Sequence, residues 1–534
     1  MTAFQEKTIK FLGKSPNPVA NEILIGQLDN PVDRIRTLSF NHLYLRKDPE
    51  LYLLLFKCFL RDKAYWLQTN SLPRDRLVRL ADTAFRNEND ALHEDAAKII
   101  LEHKLYETLP AVLINLEGTH EKRAKEAREM VLQLAELFYD ELLNASELER
   151  RNYDKRREWF IEQLDATVKR FAVHGIDEVL QSLLIVTKKS YATMVTLAND
   201  HRSAAGKRVA ELLLQSQHGS FIRLLLSYFD DPDSPAVIDE ILITRSDPLF
   251  VRKMLEFVGT DPSADFQNAL KRFRSFAWLN PKNPDLPELI QGLEPCAVQL
   301  LQACSFPKYL MISLYRFFFK RPSVESRRAA AAAVQRLVGD DVNTMLLEFV
   351  NDSDAPTAAM VFRILKSRGV KEVDAQFEQL INRRETEIRK AIYETMPELH
   401  IESFASRINQ MTAESAKTIG RYVCLVDPNT MIAIRDDLFS PIPVRRLSAC
   451  LVVSATNLSS QFMKRLIELA EADDEINVRC AALSALSTLL TKEAVETIQH
   501  LVNDKSMVIR DAAADALKKW MAHYKIATTN STGT

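Results

Sequence analysis

Basic and aromatic residues interleave at positions 150–159, a combination that can bind phosphate groups and stack on bases. The basic residues of this first cluster, which lie beside Tyr153 and Trp159, are Arg150, Arg151, Lys155, Arg156 and Arg157. Acidic residues interrupt them, and opposite charges at helical spacing favour a solvated, ion-paired helix face. Nucleic-acid contact through Arg151 and Arg156 is therefore the less favoured interpretation.

A second basic cluster surrounds three consecutive phenylalanines at positions 317–319. It contains Arg316, Lys320 and Arg321, followed by Arg327 and Arg328. The favoured interpretation is a buried helix over 309–319 whose phenylalanines pack in the core and whose basic residues flank it. The alternative is a groove that binds a peptide or an acidic partner through Arg316, Lys320 and Arg321.

No residue pattern predicts catalysis or metal binding. The ten histidines are scattered without ligand spacing, and the six cysteines form no C-x-x-C pair. Gly206-Lys207-Arg208 lacks the upstream glycine and the following Ser or Thr of a phosphate-binding loop. We therefore expect no catalytic residue, no metal and no cofactor. The cysteines are expected to be free and mostly buried thiols.

The composition favours helices. The chain has 534 residues, 46% of them hydrophobic and 27% charged, but only 12 glycines. Average usage of about 7% would give roughly 37, so few turns with positive φ can be built. A nucleotide-binding strand–turn–helix unit is disfavoured for the same reason. The net charge of −2 gives no general attraction to nucleic acid.

One short pattern recurs near the end of the chain. It consists of an apolar residue and an arginine, with Ala three positions and Leu seven positions after the arginine. Arg479 and Arg510 occupy equivalent positions 31 residues apart, followed by Ala482 and Ala513. The same register extends backwards at intervals of about 31 residues. It gives seven positions: Arg327, Thr357, Arg389, Lys417, Arg445, Arg479 and Arg510. We predict that the arginines Arg327, Arg389, Arg445, Arg479 and Arg510 form a structural ladder by bridging to acidic turn residues.

This pattern resembles the HEAT repeat family in the broad sense that includes armadillo-like arrays. The resemblance is clearest over 320–520, where Val478-Arg479 and Ile509-Arg510 stand at the family's Val-Arg positions, while Thr357 and Lys417 depart from it. It implies an all-α, α-solenoid fold of stacked antiparallel helix pairs with a concave face. It implies no particular ligand. Stacking is required because one helix pair cannot bury its apolar stripes alone.

We predict four regions along the chain. Residues 1–280 form an irregular helical-repeat region with long charged helices, and Ser146 with Glu149 is a candidate capping box for one of these helices. Residues 281–295 contain four prolines and form a hinge or a loop. Residues 296–523 form a regular HEAT-like array, and 524–534 form a disordered tail.

Repeats without a catalytic signature favour a non-enzymatic scaffold that binds protein partners through its concave face. The alternative is a nucleic-acid-binding or -processing protein, or another enzyme, on a HEAT-like scaffold. A third hypothesis is a subunit of an obligate assembly, with 309–319 at its interface. No run of about 18 apolar residues predicts a membrane span. The cysteine usage and the absence of a secretory pattern at the N-terminus favour a cytoplasmic location.

Overall fold

The computed structural model describes residues 3–68, 72–200 and 202–531. This part of the chain contains 34 α-helices and no strand, which confirms the all-α prediction. Four short 3-10 segments lie at Tyr106–Thr108, Lys371–Gln376, Pro397–Leu399 and Ile408–Gln410. The chain divides into two units, the first formed by Met1–Gln291 with Ala303–Ser305 and the second by Gly292–Gln302 with Phe306–Thr534.

The first unit is an irregular succession of short and long helices. These helices are α1 (Ala3–Lys14), α2 (Pro18–Gly26), α3 (Asp33–Tyr44), α4 (Pro49–Arg61), α5 (Lys63–Gln68), α6 (Arg74–Phe85), α7 (Asp90–Glu102), α8 (Leu109–Leu116), α9 (Glu121–Asn144), α10 (Glu147–Lys169), α11 (Phe171–His174), α12 (Asp177–Val186), α13 (Ala192–Asn199), α14 (Ala204–Gln215), α15 (Gly219–Leu226), α16 (Ala236–Thr244), α17 (Pro248–Val258), α18 (Ala264–Leu270) and α19 (Leu286–Leu289).

The two long helices of the first unit lie where the sequence predicts them. Their boundary is set by Glu149, whose carboxylate accepts the Ser146 N–H at 3.0 Å and the Ser146 hydroxyl at 2.6 Å. These hydrogen bonds lower the pKa of Glu149. The predicted capping box is therefore present at the start of α10. Helix α9 buries its apolar face against α8 and α12.

The second unit contains the regular array. Its helices are α20 (Glu294–Ala303), α21 (Lys308–Phe319), α22 (Val324–Val334), α23 (Asp340–Leu347), α24 (Ala355–Ser367), α25 (Phe377–Ile381), α26 (Thr386–Thr395), α27 (Ile401–Arg407), α28 (Ala413–Val426), α29 (Thr430–Leu438), α30 (Pro443–Thr456), α31 (Met463–Ala472), α32 (Ile476–Leu486), α33 (Lys492–Leu501) and α34 (Met507–Ser531).

Helices α21 to α34 pair into seven consecutive hairpins. The second helix of each hairpin, which we name the B helix, packs on the B helix of the next one, from α22 through α24, α26, α28, α30 and α32 to α34. A continuous apolar layer results, with side chains such as Val334, Ile392 and Val453 fully buried. This is the α-solenoid arrangement that the sequence predicts.

The seven register positions of the sequence fall on these seven B helices, one on each, in order from Arg327 on α22 to Arg510 on α34. Polar residues start several of the helices. Asp354, Thr412 and Thr491 each accept a backbone N–H of the first turn with their side chain. Such caps satisfy N–H groups that have no partner within the helix.

Two of the predicted regions, 281–295 and 524–534, can be compared with the structure. The division between the units falls at Gln291, inside the proline-rich segment 281–295, which holds the short helix α19. Its role as a hinge stays a prediction. Where the sequence predicts a disordered tail over 524–534, helix α34 continues to Ser531, and residues 532–534 lie outside the described residues.

Candidate functional site

Four arginines on B helices bridge to an aspartate in the turn before the next B helix: the exposed Arg328 pairs with Asp354 at 2.7 Å, and the other three are largely buried. Arg327 Nε lies 3.1 Å from Asp352 Oδ1, Arg446 Nε lies 2.7 Å from Asp473 Oδ2, and Arg479 Nη2 lies 2.6 Å from Asp504 Oδ2. In each of these three pairs both side chains are mostly buried. Each pair joins one repeat to the following one.

Arginines of three B helices also bind the turn that precedes their own helix. Arg327, Arg446 and Arg510 each donate from Nη1 to the carbonyls six and five residues earlier, at 2.9–3.2 Å. Arg479 instead donates from Nε to the Ala470 carbonyl at 2.9 Å. A guanidinium has five donors in a rigid fork, so one side chain can bind a carboxylate and a turn together.

Three of the five predicted ladder residues make no such pair in the described part of the chain, and of these Arg510 binds only the carbonyls of its own turn. Arg445 pairs with Asp437 at 2.6 Å on the surface, so the neighbouring Arg446 occupies the ladder position. Arg389 makes no ladder pair, and its Nε is buried without a hydrogen-bond partner. Arg383, in the turn before α26, binds the Asp352 carbonyl at 2.7 Å instead.

A small residue follows three positions after the arginine or lysine on five B helices. These residues, all buried, are Ala330, Gly420, Ala449, Ala482 and Ala513. The helices approach closely at these points. A Cβ atom on Gly420 would lie 3.0 Å from the carbonyl oxygen of Ala455 on the next B helix. The placement of Ala449 independently supports Arg446 as the ladder residue.

Exposed apolar side chains mark the first turns of the last three B helices. We name Val444, Ile476, Met507 and Val508 the apolar stripe. Their exposed fractions are 65%, 44%, 68% and 54%. They lie two or three residues before Arg446, Arg479 and Arg510, so each of these first turns exposes an apolar residue, although Val444 and Ile476 differ by one position in the register. Because B helices follow one another in the same direction, these first turns lie at one edge.

The second basic cluster is distributed around helix α21. Arg316 pairs with Glu348 at 2.8 Å, and Arg321 lies 3.7 Å from Glu294. Lys320 is exposed at the end of the helix. Phe318 and Phe319 are buried, whereas Tyr309 is exposed, so only one side of the predicted buried helix faces the core. This arrangement fits basic flanks around a packed helix better than a basic groove.

The first basic cluster divides between different faces of α10. Arg156 lies 5.2 Å from the centre of the Tyr106 ring and 4.0 Å from Glu141. Arg151 is exposed and has no ion-pair partner in the described part of the chain. Arg150 and Arg157, in contrast, line a cleft of about 380 Å³, which we name the basic cleft.

Side chains from other elements complete the basic cleft. They are Lys188 from the connection after α12 and Arg223 from α15, together with Tyr139 from α9. Only the fold brings Lys188 and Arg223 beside α10, and no local spacing in the sequence could have found them. Arg150 and Arg157 were within the predicted cluster, and their spacing of seven residues places them on one helix face.

Four of the six cysteines are buried thiols, whereas Cys424 is exposed and Cys480 is partly exposed. Cys58, Cys296, Cys304 and Cys450 are buried, and burial raises the pKa of Cys450 to about 12. The described residues contain no group of three or more His, Cys, Asp or Glu side chains that could hold a metal ion. Within the described ranges, no helix combines the length and apolar character needed to cross a membrane.

Comparison with known proteins confirms the repeat class. Residues 463–525 match the model of HEAT repeats, which covers hairpins α31–α32 and α33–α34. The chain is thus a helical-repeat protein with HEAT repeats. No curated protein matches the sequence.

Several solved structures are similar over most of this chain. Importin beta, crystallised in an ammonium sulfate condition, is 10% identical, with 96% of this chain and 82% of that one covered and a TM-score of 0.29. Kap121p bound to Ste12p is 11% identical, with 94% and 59% covered and a TM-score of 0.23. A homology model of the full-length AP-3 complex is 10% identical, with 98% and 94% covered and a TM-score of 0.23. Values this low leave function to be argued from this chain's own residues.

Proposed function

We propose that the protein is a non-enzymatic scaffold that binds a segment of a partner protein along the apolar stripe of the second unit. The observation that carries this proposal is that an exposed apolar residue recurs in the first turn of three successive B helices, two or three positions before the arginine: Val444, then Ile476, then Met507 with Val508. An apolar side chain exposed in one repeat needs no explanation, but a row that follows the repeat favours a partner.

The spacing of the stripe specifies the conformation of that segment. Packed helices lie about 8–10 Å apart, so neighbouring stripe positions are separated by about that distance. A polyproline II chain rises about 3.1 Å per residue and returns to the same face every three residues, which is about 9.3 Å. We therefore expect an extended partner segment with an apolar residue at every third position.

The ladder below the stripe supports this function by fixing the spacing. Arg446 ties its own turn to the next repeat, and Arg479 ties the end of α31 to the turn before α34, so the first turns of α30, α32 and α34 are held in register. A surface held in place before binding loses less conformational entropy when the partner binds.

The test combines two nine-residue peptides with a matched set of variants. One peptide has Leu at positions 1, 4 and 7 and Pro elsewhere, and the other has the same composition with Leu at positions 1, 3 and 5. We expect the first peptide to bind more tightly. Val444→Asp, Ile476→Asp and Met507→Asp, combined in one chain, should abolish the difference. Ile432→Asp, at an exposed apolar position on α29 outside the stripe, is the control.

A second measurement identifies the natural partner. The wild-type chain and both variants are captured from the native host and cross-linked, with and without nuclease. We expect a partner that cross-links near Lys505, resists nuclease, and is lost only from the stripe variant. Equal binding of the two peptides, or a partner retained by the stripe variant, would show that the stripe is not the binding surface.

A further inference from the structure

The basic cleft of the first unit carries more positive charge than its own residues neutralise. Four cationic side chains, Arg150, Arg157, Lys188 and Arg223, line it together with one carboxylate, that of Asp154. Asp154 lies 2.6 Å from Lys188 Nζ and 3.8 Å from Arg157 Nη1. Arg150 and Arg223 have no ion-pair partner among the residues that the structure describes. The cleft therefore has an excess of three positive charges.

Arg157 is a largely buried cation of the cleft with an unsatisfied hydrogen-bond donor. Its side chain is only 12% exposed, and its Nε is buried without a hydrogen-bond partner. Burial lowers the pKa of Arg157 against the opposing effects of Tyr191 and Asp154, and the charge of Arg223 makes a smaller contribution in the same direction as burial. A guanidinium that is removed from water without an acceptor is costly. An anion in the cleft would add a second negative charge beside Asp154 and offset the repulsion between the two like charges.

The residue types favour a phosphate group over a carboxylate. Three of the four cations are arginines, whose planar donors bind phosphate through paired hydrogen bonds. A phosphate monoester has nearly two negative charges and three acceptor oxygens, whereas a carboxylate has one charge and two oxygens. The excess of three charges in a cleft of about 380 Å³ fits one compact dianion.

The surroundings favour a peptide over a nucleic acid. Farther along α10, a second cleft of about 620 Å³ is lined by three carboxylates, Glu158, Glu162 and Asp165, and by one cation, Lys169, so the run of positive charge does not continue there. A nucleic-acid strand requires a continuous run of cations along its phosphates. Leu143, which is 45% exposed, lines the basic cleft beside Tyr139 and offers apolar contact to a peptide chain.

We propose that the basic cleft binds a phosphorylated serine or threonine side chain of a partner protein. Arg157 and Arg223 bind the phosphate, and Lys188 and Arg150 neutralise its remaining negative charge. Leu143 contacts the peptide chain that carries the phosphate. This site lies in the first unit and does not depend on the apolar stripe, so either proposal can fail alone.

The experiment uses the full chain and three labelled nine-residue peptide libraries that differ only at the central residue, which is phosphoserine, Glu or Ser. We expect the phosphoserine library to be retained at least about tenfold more strongly than the Ser library, because hydrogen bonds to charged groups discriminate by about this factor or more. Arg223→Gln and Arg150→Gln should each remove most of this preference. Arg151→Gln, on the same helix but outside the cleft, should leave it unchanged.

Arg223 lies 5.5 Å from the Tyr139 ring centre, so Arg223→Gln removes a packing contact as well as a charge. Arg150 is exposed in the first turn of α10, so Arg150→Gln tests the charge without disturbing the fold. Equal retention of the phosphoserine and Glu libraries, or of the phosphoserine and Ser libraries, overturns the proposal. So does full displacement of the peptides by an equimolar single-stranded oligonucleotide, or by inorganic phosphate at the same concentration. Those two results would assign the cleft to nucleic acid or to free phosphate.

Discussion

Arg446 and Asp473 form a nearly buried ion pair between helix α30 and the turn before α32. The two contacts, Nε to Oδ2 and Nη2 to Oδ1, measure 2.7 and 2.9 Å, and the side chains are 11% and 3% exposed. Asp473 Oδ1 also accepts the Glu475 N–H at 3.0 Å. The carboxylate is therefore held both by the preceding repeat and by its own turn.

The first prediction contrasts two adjacent arginines. Arg446→Ala leaves the Asp473 carboxylate buried without its partner, so we expect the free energy of unfolding to fall by about 2–4 kcal/mol. Arg445→Ala removes only a surface pair in which Arg445 is 58% exposed, and the loss should stay below about 1 kcal/mol. Urea unfolding followed by circular dichroism measures both. Equal losses would contradict the assignment of the ladder position to Arg446.

The second prediction reverses a charge in the ladder. Arg479→Glu brings a carboxylate toward Asp504, which Arg479 now contacts at 2.6 Å, and removes the hydrogen bond to the Ala470 carbonyl. We expect faster amide hydrogen exchange in α33 and α34, with little change in α21 and α22, because repeats couple chiefly to their neighbours. Arg510 has no carboxylate partner in the described residues, so Arg510→Glu should have a smaller effect. Unchanged exchange in Arg479→Glu would show that the pair contributes nothing.

The third prediction concerns acid. The hydrogen bond from Arg328 and those from Thr357 lower the pKa of Asp354 from 3.8 to about 2. Because the folded pKa is below the unfolded one, the ionised form stabilises the fold above about pH 4. This contribution is lost as the pH falls through 2. Urea midpoints between pH 5 and pH 2 should therefore fall more steeply for the wild type than for Asp354→Asn. Parallel curves would contradict this role.

The fourth prediction tests close packing between B helices. A Cβ atom at Gly420 would lie 3.0 Å from the Ala455 carbonyl oxygen. Gly420→Val forces α28 and α30 apart, and we expect a loss of about 1–3 kcal/mol in urea unfolding. Gly26→Ala is the control, because a Cβ atom there meets nothing within 4 Å. That substitution should be neutral or stabilising by up to about 1 kcal/mol. A neutral Gly420→Val would show that the contact is looser than described.

The repeat could be predicted from sequence because its determinants are local. An arginine, a small residue three positions later and a turn before the helix recur often enough to place seven B helices. The choice between Arg445 and Arg446 needed one more criterion, since adjacent residues point about 100° apart on a helix. Ala449, three residues after Arg446, supplies that criterion. At α26 the pattern fails because the turn before α28, residues 409–412, contains no aspartate that could pair with Arg389.

The basic cleft shows where sequence reasoning stops. The sequence shows the high density of positive charge at 150–157. However, Arg151 and Arg156, the candidate binding residues in the sequence, lie on surfaces other than the cleft. Arg150 and Arg157 gain their significance only from Lys188 and Arg223, which belong to separate elements. Contacts between distant elements depend on how α9, α10 and α15 pack, and no periodicity within one segment reports that packing.

The ladder pairs also bear on how the chain folds during synthesis. Their partners are separated by only 25–27 residues, from Arg327 to Asp352, Arg446 to Asp473 and Arg479 to Asp504. Contacts this local close with little entropy cost and fold quickly. Each new turn can thus lock onto the repeat made just before it while translation continues. A nascent array would then expose about one unfinished repeat at a time, which limits the apolar surface available for aggregation.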